Sequence, residues 1–84
     1  MYSWYVYIIR CSDGSLYTGI TKDIIRRIDE HNCSDQSGAV YTRTRRPVKL
    51  VYQENHSTRS AAAKREYEIK QLDKNGKEAI LTQS

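Results

Sequence analysis

Seven tyrosines, one tryptophan and no phenylalanine make a one-sided aromatic set in a chain of 84 residues. Phe is the usual core filler, because a buried Tyr must find a partner for its hydroxyl. Some of these hydroxyls are therefore wanted for chemistry or for stacking on bases, beside the plainer use of Tyr as a strand residue. At 100° per residue, Ile24, Arg27, Ile28 and His31 fall within one helical arc of about 100°. A cation and an imidazole thus flank two core isoleucines instead of facing away from them. Further on, Ala62, Ile69 and Leu72 form an inward stripe, and Glu66 lies in the same arc. A carboxylate there is costly unless it is partnered or holds a metal. Arg65, Glu68 and Lys70 are easier to leave solvated.

These side chains need elements to position them. Trp4 to Cys11 is β-branched and aromatic and reads as a strand. Trp4, Val6 and Ile8 line one face, and Tyr5, Tyr7 and Ile9 the other. A strand apolar on both faces is central and covered on both sides. Ser12-Asp13-Gly14 turns the chain into a second strand, Ser15 to Ile20. A two-residue turn pairs Cys11 with Leu16 and puts Tyr7 and Tyr17 on opposite faces. A three-residue loop with Gly14 left-handed pairs Tyr7 with Gly19 and puts both tyrosines on one face. Thr21 is the expected N-cap of a helix running to about His31, with Asp23 in its first turn. A loop from Asn32 to Thr44 contains Gly38, and Val48 to Tyr52 forms a third strand after Pro47. Ser57 or Thr58 caps a second helix running to about Leu72. Asn75-Gly76 then breaks the chain before a short turn over Lys77 to Leu81.

Charge is uneven along this plan. The net charge is +4, with −1 over residues 1–42 and +5 over residues 43–84. Four of the seven residues from Arg43 to Lys49 are cationic. Such a stripe is a footprint for a polyanion, where a solvated loop is the plainer use.

Size excludes several classes. At about 100–200 residues per domain, 1–84 is a single domain with no room for a second core. A chain this short buries roughly 60% of its unfolded surface, too little to enclose a dinucleotide, and it has no Gly-rich phosphate loop. No run approaches the ~18–20 apolar residues of a membrane span, and no signal peptide is visible, so the expected location is cytoplasmic. Cys11 and Cys33 are expected to be reduced thiols, since two cysteines without partners at ligand spacing make no structural zinc site.

Tyr5-Val6-Tyr7, Tyr17-Thr18-Gly19, Arg27 ten residues after Tyr17, His31 one helical turn further, and Ala62-(x)3-Glu66-(x)2-Ile69-Lys70 together resemble a GIY-YIG nuclease domain. The likeness is specifically to the short stand-alone bacterial group, and it covers about Trp4 to Leu72. Five residues in order at matching spacing are fairly specific, whereas either tyrosine triplet alone is weak. The resemblance favours the three-residue loop. It implies an α/β (α+β) fold, a small three-stranded antiparallel sheet flanked by helices in β-β-α-β-α order. This sequence departs from the family in two places. Tyr5 replaces the first glycine, and Ile20 stands where some relatives carry Lys, His or Ser. The tail around Asn75-Gly76-Lys77 also looks less basic than in many relatives.

The implied activity is phosphodiester hydrolysis by a metal-dependent endonuclease, with Tyr7, Tyr17, Arg27, His31 and Glu66 as catalytic residues. Glu66 would hold Mg²⁺ (or Mn²⁺), leaving other positions to water and substrate oxygens. Arg27 would hold the scissile phosphate as charge builds on it. Tyr7 would orient a phosphate oxygen or the water. Tyr17, with His31, would take the proton of the attacking water. A phenol is a weak base until neighbouring positive charge helps it, and Arg27, His31 and the metal field are the groups at hand. Tyr41, Arg43, Arg45, Arg46, Lys49 and Lys70 are candidate contacts to DNA. Tyr side chains beside a basic loop favour single strands or branched ends over a regular duplex. No small-molecule cofactor, membrane or oligomer is required. The alternative is a non-catalytic nucleic-acid-binding module that keeps the fold; a protein-interaction domain would leave the stripe without a purpose.

If the stripe tracks a DNA backbone, replacing Arg45 and Arg46 together by Ala lowers the slope of log K against log[salt] by ~0.7 per lost contact on single strands. Turnover at saturating substrate stays nearly unchanged. An unchanged slope in a salt-titrated binding assay would make the stripe a solvated loop.

Overall fold

The computed structural model describes residues 3–33 and 40–82. β1 (Trp4–Arg10) occupies the centre of a three-stranded antiparallel sheet, with β2 (Leu16–Thr21) on one side and β3 (Lys49–His56) on the other. Its two apolar faces explain the position. Val6, Tyr7, Ile8 and Ile9 are at most 1% exposed, which only a strand covered on both sides achieves.

Gly14 has φ +87°, in the left-handed region. The Cys11 N–H donates to the Ser15 carbonyl at 2.8 Å, and the Gly14 N–H donates to the Cys11 carbonyl at 2.9 Å. This is the three-residue loop, and it sets Tyr7 opposite Gly19.

Helix α1 (Ile24–Cys33) covers the Tyr5–Tyr7–Ile9 face. Its cap is Asp23, not Thr21: Asp23 Oδ1 accepts the Arg26 N–H at 3.1 Å, while Thr21 Oγ1 accepts the Asp23 N–H at 3.1 Å. Thr21 therefore shapes the approach and Asp23 satisfies the open donor. The single-turn helix α2 (Val40–Arg43) lies within the expected loop, and Gly38 lies outside the described residues.

On the opposite face, α3 (Arg59–Lys70) packs Ala62 and Ile69 against Val6 and Ile8. Thr58 is the cap, its side chain accepting the Ala61 N–H at 3.1 Å. Leu72, expected in the inward stripe, is 38% exposed because the helix ends at Lys70 and the chain turns away.

β3 runs four residues past the expected Tyr52. Its polar end is accommodated on the α3 side by a cluster around Glu54. Tyr52 Oη donates to Glu54 Oε2 at 2.5 Å, and Arg65 Nε and His56 Nε2 each lie 2.9 Å from Glu54 Oε1. Between Ile8 and Ile9 the pairing skips Val51, so Val51 and Tyr52 both reach the α3-side core.

The expected break at Asn75-Gly76 is instead the first turn of α4 (Lys74–Leu81). Asp73 Oδ1 accepts the Gly76 N–H at 2.8 Å, which starts a helix despite the glycine. Ile80 joins the core, and Arg10 grips Glu78 with two bonds of 2.7 and 3.0 Å. The fold is thus the expected β-β-α-β-α arrangement with two short helices, α2 and α4, added. Among the described residues no helix is long and apolar enough to cross a membrane.

Ile69→Ala should lower unfolding free energy by about 3 kcal/mol, because it opens a cavity in a closed core. Leu72→Ala should cost under ~1 kcal/mol. Urea midpoints followed by circular dichroism distinguish the two.

Candidate active site

The pleat of β1 sends Tyr7 toward α1, and the register puts Tyr17 on the same face, opposite Ile9. The Tyr7 ring lies across Gly19. A Cβ at that position would stand 2.6 Å from Tyr7 Cζ, so glycine is what lets the ring lie flat on β2.

Tyr7 is 1% exposed, so its hydroxyl must be satisfied within the protein. Arg27 Nε donates to Tyr7 Oη at 3.4 Å, and His31 Nε2 lies 2.9 Å from the same oxygen. His31 is fully buried, and its Nδ1 lies 2.8 Å from Thr42 Oγ1. We assign the phenol proton to the bond with Nε2, which leaves Nδ1–H to donate to Thr42 and uses each ring nitrogen once. Burial, then the Arg27 charge, push the His31 pKa down to about 4, against the opposing pull of Glu30; Arg46 adds to the lowering. The imidazole is therefore neutral at neutral pH. Burial likewise pushes the Tyr7 phenol up to about 12, against the bond and charge of Arg27.

These facts separate the expected roles. Both ring nitrogens of His31 are used inside the protein, so no nitrogen remains to take a proton from water. The buried Tyr7 phenol keeps its proton and turns toward Arg27 and His31. Tyr7 and His31 are both buried, with their polar atoms bonded inside the protein. Arg27 is the one that reaches outward, its side chain 24% exposed and held by Glu30 at 3.1 Å. Burial works against its charge, but the bonds to Tyr7 and Glu30 outweigh that and keep its pKa raised.

Tyr17 is half-buried, its ring edge-on to His31 at 5.3 Å and stacked on Tyr41 at 5.8 Å. Lys70 Nζ sits 5.9 Å from the centre of the Tyr17 ring and 3.2 Å from Glu66 Oε2. Lys70 thus links the α3 carboxylate to the tyrosine face, and the Glu66 charge is close enough to act on the Tyr7 phenol. The Glu66 side chain is 23% exposed, so its partner is an ammonium and not the solvent alone.

The basic stripe divides. Arg43 and Lys49 are exposed. Arg46 Nε donates to the His31 carbonyl at 2.6 Å. Arg45 bonds Asp13 at 3.1 Å and the Tyr41 carbonyl at 2.7 Å, and its guanidinium lies 4.1 Å from the Tyr41 ring centre. Arg45 and Arg46 therefore tie the segment after α2 to the turn and to α1, and replacing them removes tethers as well as charge. Lys49, exposed on β3, is the cleaner probe of backbone contact.

Sequence reasoning did not find Thr42, Glu30 or the Asp13–Arg45 tie. Glu30 was legible as an acid three residues after Arg27 on one helix. Thr42 left no signal, because a one-turn helix has no periodicity.

Among the described residues no three His, Cys, Asp or Glu side chains converge on one point. The donor set at the site is a single hard carboxylate already facing a cation, the Lys70 ammonium. That suits an ion that keeps most of its waters, such as Mg²⁺, and does not suit zinc, which takes three or four nitrogen and sulfur ligands.

Residues 3–79 match the GIY-YIG catalytic domain, a class whose nucleases generally depend on a divalent metal and act on DNA. The chain belongs to the GIY-YIG family. It is similar to UPF0213 proteins, short chains consistent with a stand-alone GIY-YIG domain. One from Desulfotalea psychrophila is 57% identical over 82 residues, covering 98% of this chain and 74% of that one. One from Staphylococcus aureus is 60% identical over 70 residues, 83% of each. The solution structure of the Bacillus halodurans UPF0213 protein superposes with a TM-score of 0.63 at 42% identity, over 96% of this chain and 84% of that one. A solution structure from E. faecalis gives 0.66 at 41% identity, over 99% and 86%.

The two buried partners predict a stability plateau. Unfolded His takes up a proton near pH 6.5, while folded His31 resists until about 4. Stability is therefore fully present above pH 6.5 and falls toward pH 4, by up to about 1.4 kcal/mol per pH unit. Tyr7 acts in mirror image, with stability falling as pH rises from 10 toward 12. Urea midpoints across pH 4.5–8 should show the acid limb in the wild type and a flatter one in His31→Gln.

Proposed function

We propose that this chain is a metal-dependent endonuclease that hydrolyses DNA phosphodiester bonds, with single-stranded DNA as its preferred form. The observation that carries the proposal is the partly exposed Arg27 guanidinium, held by Tyr7 and Glu30 on the face that also bears Tyr17, with Glu66 and Lys70 at its border.

Arg27 binds the scissile phosphate and meets the charge that builds on its oxygens in the transition state. Tyr7 and Glu30 fix the guanidinium, so little reorganisation is needed as the charge grows. His31 and Thr42 in turn fix Tyr7. Tyr17 takes the proton from the attacking water, with the Lys70 ammonium placing positive charge over its ring. A divalent cation held by Glu66 would neutralise negative charge on the leaving 3′-oxygen. The tyrosine pair Tyr17–Tyr41 and the cations Arg43 and Lys49 supply stacking and charge suited to an unpaired strand.

A labelled oligonucleotide incubated with Mg²⁺ or Mn²⁺ should be cut, and EDTA or Glu66→Ala should stop the cutting. Binding without cleavage under every metal condition would favour the non-catalytic module. Arg27→Ala should reduce turnover by on the order of 10²–10³-fold or more while DNA affinity stays close to wild type. Near-normal turnover in that variant would remove Arg27 from the mechanism. Comparing single-stranded, duplex and flap substrates tests the preferred form.

A further inference from the structure

A groove of about 270 Å³ lies between the β1–β2 turn and α4, lined by Asp13, Ser15, Leu16, Tyr41, Lys74 and Lys77. Neither lysine was expected to take part in binding. We propose that this groove is a second subsite for the substrate strand, in which Lys74 and Lys77 hold a backbone phosphate flanking the scissile one; the proposal rests on the DNA reading above.

Three observations support it. The groove shares a wall with the candidate active site, because Tyr41, which lines it, is stacked on Tyr17 at 5.8 Å. A strand lying across Tyr17 would meet Tyr41 of α2, which also lines the groove.

The groove is also positive in balance. Its one carboxylate, Asp13, is committed elsewhere. Asp13 Oδ1 accepts from the Ser15 N–H at 3.0 Å and from Ser15 Oγ at 2.6 Å, and Oδ2 accepts from Arg45 Nε at 3.1 Å. Those bonds hold the Asp13 carboxyl below the usual range. Glu78, whose charge Lys74 feels, is gripped by Arg10 at 2.7 and 3.0 Å. Asp13 and Glu78 thus already have cations, Asp73 caps α4, and Lys74 and Lys77 line the groove.

The third observation is the mixed lining. Leu16 and the Tyr41 ring give a sugar and base apolar contact, while the lysines meet the phosphate as point charges. A free inorganic anion would have no use for the apolar wall. A nucleotide in a strand uses both.

The test reads binding with no cleavage. A fluorescein-labelled oligothymidylate is titrated with the full chain in EDTA, by anisotropy, over a range of KCl concentrations. Lys74→Ala/Lys77→Ala should reduce the slope of log K against log[KCl] by ~0.7, the value for the one phosphate contact the two lysines share. Lys74→Arg/Lys77→Arg should restore it. In amide-resolved NMR, the oligonucleotide should shift residues 13–16, Tyr41 and 74–77, and inorganic phosphate alone should not. An unchanged slope with those amides still would overturn the subsite. Equal shifts with inorganic phosphate would overturn it too, leaving a general anion site. Cleavage by the wild type in Mg²⁺ alongside an unchanged slope would leave the nuclease reading standing without the subsite. A lysine-dependent slope in a protein that never cuts would do the reverse. A wild type that binds no oligonucleotide overturns both.

Discussion

The arrangement hinges on one buried hydroxyl. Tyr7 sits at the middle of the central strand with 1% of its surface exposed, and a phenol there must have partners or forfeit the free energy of its lost hydration. The fold supplies partners from two elements. α1 brings Arg27 and His31, and α2 brings Thr42 to complete the imidazole. β2 makes room by presenting Gly19 beneath the ring. Four elements are thereby fixed around one oxygen atom. The guanidinium that faces outward inherits this rigidity, which the proposed role at a phosphate would use.

The same hydroxyl explains why the residues nearest to it are not the ones exposed to a substrate. Satisfying a buried polar chain consumes donors and acceptors one by one. Tyr7 spends its proton on His31, and His31 spends its remaining nitrogen on Thr42. What reaches solvent is the next shell outward: Arg27, the Tyr17 edge, and the Lys70–Glu66 pair arriving from the opposite side of the sheet around β2. Two separate packing problems, one on each face, therefore meet at the β2 border. The α1 side buries the Tyr7–His31–Thr42 chain beside Ile9 and Val48, and the α3 side packs Val6, Ile8, Ala62, Ile69 and Ile80 beside the Glu54 cluster.

Charge is used twice in so small a chain. Some cations are tertiary ties: Arg10 to Glu78, Arg45 to Asp13, Arg46 to the His31 carbonyl, Arg65 to Glu54. They join segments far apart in sequence, as expected where the apolar core alone is limited. Of the cations left outside these ties, Lys70 lies beside Tyr17 and Glu66, and Lys74 and Lys77 line the adjoining groove.

Much of the molecule was legible in the residues. A strand apolar on both faces had to be central, and Gly14 after Asp13 marked a loop that needs a left-handed residue. Arg27 and His31 at helical spacing beside two isoleucines had to lie on the sheet-facing side of the helix, His31 buried and Arg27 at its edge. These features depend on neighbours within a few positions, which a linear pattern records. What pairs distant positions was decided only by the tertiary structure. His31 and Thr42 are eleven residues apart, and Tyr7 and His31 twenty-four, with no periodicity relating them. The polar end of β3 became a strand because Arg65 arrived from α3, and Asn75-Gly76 became helical because Asp73 capped the turn and Ile80 found the core. Arg45 and Arg46 looked like surface charge and became ties. Whether a side chain acts on a substrate or on its own fold depends on what stands opposite it, and that is set only when the elements pack.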